Sequence, residues 1–292
     1  MLDRIHHAGL AIADLTAGKK LFADALGLRV DESRSPLPTG RQQRGGDNTD
    51  ILDIPIGGSE IELNMPIGTQ GGTGRFVQSR GGVGALHHIC LHSTNVPEDV
   101  ERMRKAGLQQ LASPEQIAAG PWKNVAFFHP RTCMGILLEI WPTEPVKKDD
   151  GSEKVFTRLH HIGVVSKDLE MARHFWVDLL GYKVDTSKSP LPNGRHLDSD
   201  NVRILDIPIG NSAIECACPQ DASSGTAKFL AKYGGSLGGT MHHIALGTRD
   251  VRAAAERLQS RGMRIIGRPT NDVAWVHPKS ALGVLIEITR DA

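Results

Sequence analysis

Apolar and polar side chains alternate along several short segments of this chain, as they do along half-buried β-strands. Residues 5–12 alternate in this way, and Asp14 then begins an amphipathic stretch that Gly27 ends. Extended runs follow at 51–56 and 59–65, separated by a pair of glycines typical of a β-hairpin turn. This part of the chain therefore predicts one βαβββ unit.

The same order of elements begins again at the alternating segment 87–92. A helix is predicted near 97–106, followed by strands near 125–128 and 136–141. Each half of the chain is thus predicted to contain two βαβββ units. We expect an α+β fold of four such units, with curved, mostly antiparallel sheets and the helices outside.

The second half repeats the first, so residue types kept in both copies can be compared. Arg4–Gly9 returns as Arg158–Gly163. Further repeated pairs are Ser35–Arg41 with Ser189–Arg195, Ile51–Gly57 with Ile204–Gly210, Leu86–Ile89 with Met241–Ile244, and Leu138–Ile140 with Ile286–Ile288. A polar stretch between the copies predicts a linker at 146–154 that joins domains at 1–145 and 155–292.

Composition narrows the class of protein. The 292 residues are 39% apolar and 23% charged, with a formal net charge of +1. This balance is typical of a soluble globular protein and favours neither nucleic acid nor an anionic membrane as partner. No apolar run has the length of a membrane span, and the chain begins in a repeated strand with no room for a signal peptide. Four cysteines at non-equivalent positions favour a reduced, cytoplasmic setting. A monomer or a homodimer is expected.

Strand alternation decides which side of the sheet each polar residue faces. His87 shares a face with the apolar Ile89, so His88 points to the other, open face. The same parity places Glu62 and Glu139 opposite their aliphatic neighbours. Each half therefore offers two histidines and two carboxylates on one sheet face.

These polar residues form one candidate metal site in each half. The two sets are His7, Glu62, His88 and Glu139, and His161, Glu215, His243 and Glu287. A carboxylate among strand aliphatics is costly unless it is paired or binds a metal ion. Mixed nitrogen and oxygen ligands suit zinc, cobalt, nickel, manganese or iron(II). Cys90 shares the face of His88, but Ala245 replaces it in the second copy, so it is not predicted to be a ligand.

The remaining histidines are predicted to be structural. His129 and His277 each precede a proline at a turn. Those that face the apolar side of their strands are His6, His87, His160 and His242.

Paired βαβββ units with His, Glu, His and Glu in this order resemble the vicinal oxygen chelate superfamily, which includes glyoxalases, bleomycin-resistance proteins and dioxygenases. Each half is most similar to methylmalonyl-CoA epimerase. The segments that carry the resemblance are His7–Ala11 and His161–Val165, Glu60–Leu63, Leu86–Ile89, Val125–Pro130 with Gly135–Glu139, Lys228–Leu230, and Val273–Pro278 with Gly283–Glu287. The resemblance covers nearly all of both halves and implies two tandem domains of this superfamily.

The resemblance also implies a divalent-metal-dependent epimerase or isomerase. In such enzymes a metal ion stabilises an enolate while carboxylates move the α-proton of a carbonyl substrate, and an acyl-CoA is the candidate substrate that the resemblance implies. The metal-proximal glutamate that acts as base matches Glu139 and Glu287. The position of the partner base falls on Asp50 in the first half and on Arg203 in the second, so the two sites are expected to differ, with proton transfer at the first.

A polar insertion in each half, at 35–46 and 189–198, is longer than the corresponding loop of the family. Arg41 and Arg195 recur in it, and either could clamp a substrate carboxylate or phosphate, as could Arg203. A solvated loop is equally compatible with the sequence.

Two other functions stay open. A glyoxalase-like lyase or an extradiol dioxygenase has the same fold, although dioxygenases favour two histidines and one carboxylate around iron, and a fourth ligand argues against them. A small-molecule-binding resistance protein would usually lack the repeated ligand set. Metal content and spectroscopy would separate these functions.

Overall fold

The computed structural model describes residues 1–45, 47–112, 125–142 and 155–291. The linker predicted at 146–154 lies outside the described residues. Among the helices in these ranges, none is long and apolar enough to cross a membrane.

The first half forms a seven-stranded sheet. Its strands are β1 (Leu2–Ile12), β2 (Arg41–Gln43), β3 (Thr49–Ile56), β4 (Ser59–Pro66), β5 (Gly84–Ser93), β6 (Ala126–Phe128) and β7 (Leu137–Pro142). They lie in the order β2-β3-β4-β1-β5-β7-β6. Two pairs of strands run parallel, β1 with β4 and β5 with β7. Three pairs run antiparallel, β2 with β3, β3 with β4, and β6 with β7.

The second half forms an eight-stranded sheet on the same plan. Its strands are β8 (Arg158–Ser166), β9 (Arg195–Leu197), β10 (Val202–Ile209), β11 (Ser212–Pro219), β12 (Gly239–Thr248), β13 (Ile265–Ile266), β14 (Val273–Val276) and β15 (Leu285–Arg290). Their order is β13-β14-β15-β12-β8-β11-β10-β9. In the described part of the first half, an isolated bridge between Gln110 and Phe128 lies at the place that corresponds to β13.

Five of the six α-helices in the described ranges begin at a residue whose side chain caps them, and α2 begins without such a cap. They are α1 (Leu15–Lys19), α2 (Gly72–Ser79), α3 (Val96–Lys105), α4 (Leu169–Arg173), α5 (Gly225–Tyr233) and α6 (Val251–Ser260), with π-helical continuations at Lys20–Ala25 and His174–Leu179 and 3-10 turns at Gly235–Leu237 and Pro278–Ser280. The Asp14 side chain accepts hydrogen bonds from the backbone N–H groups of Thr16 and Ala17 and so caps α1. Gly27 follows the first π-helical segment with a φ of +78°, which a glycine adopts without strain.

Alternation along the strands separates an apolar face from a polar one. In β4, Ile61 and Leu63 are fully buried on the apolar face, while Glu60 and Glu62 lie on the other. Both sheets are mixed, with parallel pairing beside each hairpin. The prediction of an α+β fold with two tandem domains is confirmed.

By contact density the chain also divides into two compact units, and each unit takes segments from both halves of the sequence. The first comprises Met1–His6, His88–Glu144 and His161–His242, and the second comprises His7–His87, Pro145–His160 and His243–Ala292. The domain limits 1–145 and 155–292 stay a prediction.

Candidate metal centre

Three of the four ligands predicted for the first half form a cluster. His7 on β1, His88 on β5 and Glu139 on β7 are all buried, and one potential ligand atom of each lies within 4.8 Å of the others. The Nε2 atom of His88 is 3.2 Å from Oε2 of Glu139. The cluster therefore offers two imidazoles and one carboxylate.

Glu62, the fourth predicted ligand, is buried too, but other side chains bind its carboxylate. Its Oε1 lies 3.7 Å from Nε2 of His7 and accepts a hydrogen bond from Nδ2 of Asn64 at 3.0 Å. Its Oε2 accepts a hydrogen bond from Nη2 of Arg41 at 2.9 Å. Glu62 is therefore next to His7 without belonging to the three-residue cluster.

The second half forms its cluster with a different carboxylate. His161 on β8, Glu215 on β11 and His243 on β12 each place a potential ligand atom within 4.8 Å of the others. Glu287 on β15 lies close to His243, with 3.4 Å between Oε2 and Nε2, but is outside this group. Glu215, from the hairpin of β10 and β11, thus completes the second cluster, whereas Glu139, from β7, completes the first.

The strand register explains why the hairpin carboxylates have room on the polar face. Glu62 is paired with Gly9 on the neighbouring parallel strand, and Glu215 is paired with Gly163. A glycine has no side chain, so the adjacent carboxylate can extend over it. Both glycines belong to the repeated segment that carries the first histidine of each set.

An aromatic ring flanks one histidine of each cluster. His88 meets Phe127 edge-on, with 6.2 Å between ring centroids, and His243 meets Trp275 edge-on at 4.9 Å. Each ring places apolar surface beside one donor of its cluster. Electrostatic interactions are stronger in such surroundings than in water.

The donor chemistry of both clusters fits a divalent metal ion. Donor atoms that bind one ion at roughly 2.0–2.3 Å lie within about 4.6 Å of one another, close to the 4.8 Å limit that both clusters meet. A buried carboxylate also needs a compensating cation or hydrogen bonds. Imidazole and carboxylate together suit several first-row divalent metals, so this structure is compatible with more than one metal.

A buried aspartate anchors Arg41 beside Glu62. Arg41 donates from Nε to Oδ2 of Asp53 at 3.0 Å and from Nη2 to Oδ1 at 2.8 Å. The Ser35 hydroxyl donates to the same carboxylate and accepts a hydrogen bond from the Asp53 backbone N–H at 3.0 Å. Burial alone would raise the pKa of Asp53, but hydrogen bonds and positive charge from Arg41, with Arg34, lower it.

The second half repeats this arrangement. Arg195 donates from Nε and Nη2 to the two carboxylate oxygens of Asp206, both at 3.2 Å, and from Nη2 to Oε2 of Glu215 at 3.0 Å. Ser189 donates to Asp206 at 2.6 Å. Asp53 and Asp206 were not among the residues predicted for the site, although an aspartate kept in both copies between aliphatic residues was a usable signal.

The first half has an additional buried ion pair. Arg34 donates from Nη1 to Oε1 of Glu60 at 2.5 Å and from Nη2 to Oδ1 of Asp53 at 3.2 Å. Burial raises the pKa of Glu60, although the charge of Arg34 opposes this shift. Lys188 and Ala213 occupy the corresponding positions of the second half, so this pair is specific to the first.

The predicted second base lies away from the cluster. Alternation along β3 places Asp50 on the opposite face from Asp53, and Asp50 accepts a hydrogen bond from Arg44 at 2.7 Å. In β10, Arg203 is in register with the buried Cys218 and is likewise on the opposite face from Asp206. The roles predicted for Asp50 and Arg203 stay untested, and their positions do not support them.

Four of the six histidines predicted to be structural have contacts that suit this role, whereas one potential ligand atom of His6 lies within 4.8 Å of those of His7 and Cys90. His87 and His242 each meet a phenylalanine edge-on, at 4.8 and 4.6 Å between ring centroids. His129 and His277 each accept a backbone hydrogen bond through Nδ1 at 3.0 Å and so stabilise a turn.

Comparison with known families agrees with this arrangement of strands and ligands. Residues 6–127 and 160–277 match the glyoxalase/bleomycin resistance protein/dioxygenase superfamily. The chain belongs to this superfamily. The matched ranges include both predicted sets of ligands except Glu139 and Glu287, and they confirm the resemblance seen in the sequence.

Several known proteins are similar to part or all of the chain. Mitochondrial methylmalonyl-CoA epimerase of Mus musculus is 30% identical over 139 residues, which cover 48% of this chain and 72% of that protein. Ethylmalonyl-CoA/methylmalonyl-CoA epimerase of Cereibacter sphaeroides is 27% identical over 140 residues, covering 48% and 98%. A mutant of 4-hydroxymandelate synthase from Streptomyces coelicolor has a TM-score of 0.66 at 15% identity and covers 99% of this chain and 93% of its own. This last likeness shows the fold alone.

Proposed function

We propose that this superfamily member is a divalent-metal-dependent epimerase or isomerase that moves a proton on the carbon beside a carbonyl group. The observation that carries the proposal is the buried cluster of His7, His88 and Glu139, in which Glu139 lies 3.2 Å from His88. Similarity to methylmalonyl-CoA epimerases over about half the chain makes an acyl-CoA the first candidate substrate.

The residues of the first cluster have distinct roles in this proposal. His7, His88 and Glu139 would hold the metal ion, which supplies a Lewis acid for the substrate carbonyl when it is bound. Glu139 is the candidate base, because it is the carboxylate of the cluster and is buried beside an apolar ring. A positioned general base contributes roughly 10²–10⁴-fold to a rate.

Exchange of the substrate α-proton in deuterated water would test this function. The metal-loaded protein should incorporate deuterium into an acyl-CoA at the α-carbon, as detected by mass spectrometry, and a chelator should stop the exchange. A double variant, His88→Ala with His243→Ala, should lose it as well. The matched control is His87→Ala with His242→Ala, which removes the neighbouring histidines on the other strand face and should retain exchange. Exchange that persists without metal and without His88 and His243 would rule out the proposed centre.

The ligand count also favours a second candidate function. Each cluster contains two histidines and one carboxylate, which is the ligand set of non-haem iron dioxygenases, and Arg41 binds the fourth predicted ligand of the first half. Oxygen uptake by the iron(II)-loaded protein with an aromatic diol, and no α-proton exchange, would favour a dioxygenase. A protein that takes up no metal but binds a small molecule would instead be a binding protein of the same fold.

A further inference from the structure

The repeated segments Ser35–Arg41 and Ser189–Arg195 have no role in the proposed proton transfer. In both halves, however, their side chains are connected by hydrogen bonds to the hairpin glutamate, Glu62 or Glu215. In each half a serine hydroxyl donates to an aspartate, which is buried in the first half and partly exposed in the second, and both carboxylate oxygens of the aspartate accept hydrogen bonds from an arginine. The arginine then donates to Oε2 of Glu62 or Glu215. This fixed guanidinium holds one oxygen of each hairpin carboxylate and leaves the other, Oε1, to be shared.

The side chain that donates a hydrogen bond to Oε1 of the hairpin glutamate is present in the first half and absent from the corresponding position of the second. In the first half Asn64 donates from Nδ2 to Oε1 of Glu62 at 3.0 Å. Ala217 occupies the corresponding position in the second half and has no donor to offer. Within the part of the chain that the structure describes, Arg195 is the hydrogen-bond partner of the Glu215 carboxylate.

Whether the hairpin glutamate belongs to its metal-ligand cluster agrees with this difference in hydrogen-bond donors. Glu215 belongs with His161 and His243, whereas Glu62 is not part of the cluster that contains His88. The Glu215 side chain is 19% exposed and the Glu62 side chain 9% exposed. A carboxylate with one oxygen held by an arginine and the other by an amide has less capacity to bind a cation than one held by the arginine alone.

We propose that the residue at position 64, and its counterpart at 217, decides whether the hairpin carboxylate is a metal ligand. Asn64 together with Arg41 keeps Glu62 as a hydrogen-bond acceptor, so Glu139 is the carboxylate ligand of the first site. Ala217 leaves Oε1 of Glu215 to the metal in the second site, where Arg195 acts as a positioning residue. The inference rests on the proposed metal centre and adds which carboxylate each site uses.

Cobalt(II) binding to one site at a time would test this assignment. His243→Ala isolates the first site and His88→Ala isolates the second, and affinity is measured by competition with a chromophoric chelator. Glu215→Gln should weaken cobalt binding at the second site at least about tenfold and change the visible cobalt spectrum, since loss of a ligand changes the coordination. Even groups that only orient metal ligands typically contribute about 10–100-fold to metal affinity, so the loss of a ligand should cost at least as much. Glu62→Gln should change affinity at the first site by less than about threefold.

Exchanging the two deciding residues provides the matched control. Ala217→Asn should lower cobalt affinity at the second site towards that of Glu215→Gln, and the spectrum should change in the same direction. Asn64→Ala should make the first site sensitive to Glu62→Gln. A purely structural role for Asn64 would alter thermal unfolding and leave both cobalt spectra unchanged.

Two results would overturn the assignment in distinguishable ways. Equal losses of affinity in Glu62→Gln and Glu215→Gln, with no effect of Ala217→Asn, would show that both hairpin carboxylates are ligands and that position 64 decides nothing. No cobalt binding by the unsubstituted protein would refute the proposed metal centre and this assignment with it.

Discussion

A carboxylate buried in a sheet stays ionised where cations and hydrogen-bond donors surround it, and Asp53 has both. Its side chain is 0% exposed and is bound by Arg41, Arg34 and Ser35. In the unfolded chain an aspartate has a pKa near 3.9, and these partners lower the pKa of Asp53 in the folded protein. The stability that Asp53 contributes is therefore fully present above about pH 4 and is lost as the pH falls through the folded-state pKa.

Asp53→Asn should lower the free energy of unfolding at pH 7 by about 3–5 kcal/mol, the usual cost of removing one partner of a buried ion pair. Chemical denaturation between pH 7 and pH 2.5 would measure this, and the difference from the unsubstituted protein should shrink below about pH 4. Asp206→Asn is the matched control and should cost less, because the Asp206 side chain is 16% exposed. A difference that is the same at all pH values would contradict the role assigned to the Asp53 charge.

The position of Asp50 changes what is expected of its substitution. Asp50 lies on the opposite strand face from the polar cluster and is paired with Arg44 near the surface. We expect Asp50→Asn to leave turnover within about twofold, because an exposed ion pair contributes little. Glu139→Gln should slow α-proton exchange by about 10²–10⁴-fold, the range for a general base. A slowing of about 100-fold in Asp50→Asn would restore the role that the family resemblance implied.

Strand parity was enough to predict which polar residues share a face, because a period of two follows directly from strand geometry. It could not predict which carboxylate joins each cluster. In our proposal that choice depends on Asn64, two residues further along the same strand, and on Arg41, which reaches Glu62 from β2. The contact from Arg41 joins residues 21 positions apart and has no signature in the local pattern.

At the scale of elements, strands with clear alternation were predicted to within a few residues, whereas the short strands β2, β9 and β13 and the helices α2 and α5 were not predicted. A strand of three residues such as Arg41–Gln43 is too short for a period to be recognised. Its pairing with β3 is what carries Arg41 to Asp53. The glycine just before β2 allows the chain to approach β3 closely.

Gly40→Ala should therefore disturb β2, and Gly45→Ala is its matched control. Both glycines have positive φ angles, +73° and +91°, which cost an alanine about 1 kcal/mol. A Cβ at Gly40 would also lie 2.4 Å from the carbonyl oxygen of Ile51, whereas a Cβ at Gly45 would meet nothing within 4 Å. Overpacking against backbone should add roughly 1–3 kcal/mol in Gly40→Ala alone. Equal unfolding free energies of the two variants would contradict this close approach.

At the scale of the whole molecule, the duplication predicted two sheets of one plan, and both formed. The duplication did not predict that segments from both halves would share each compact unit. The two halves have different residues at some equivalent positions of the two sites. Glu60 and Asn64 of the first half correspond to Ala213 and Ala217 of the second.

Two repeated clusters predict two metal ions per chain, and single-site variants should remove them one at a time. His88→Ala should lower the metal content from two per chain towards one, because His88 belongs to the first cluster alone, and His243→Ala should do the same for the second. Elemental analysis after dialysis against a weak chelator would measure the stoichiometry. His87→Ala, which removes the adjacent histidine that packs on Phe76, should retain two metal ions. Complete loss of metal in His88→Ala would show that the sites depend on each other, and unchanged stoichiometry would show that His88 is not a ligand.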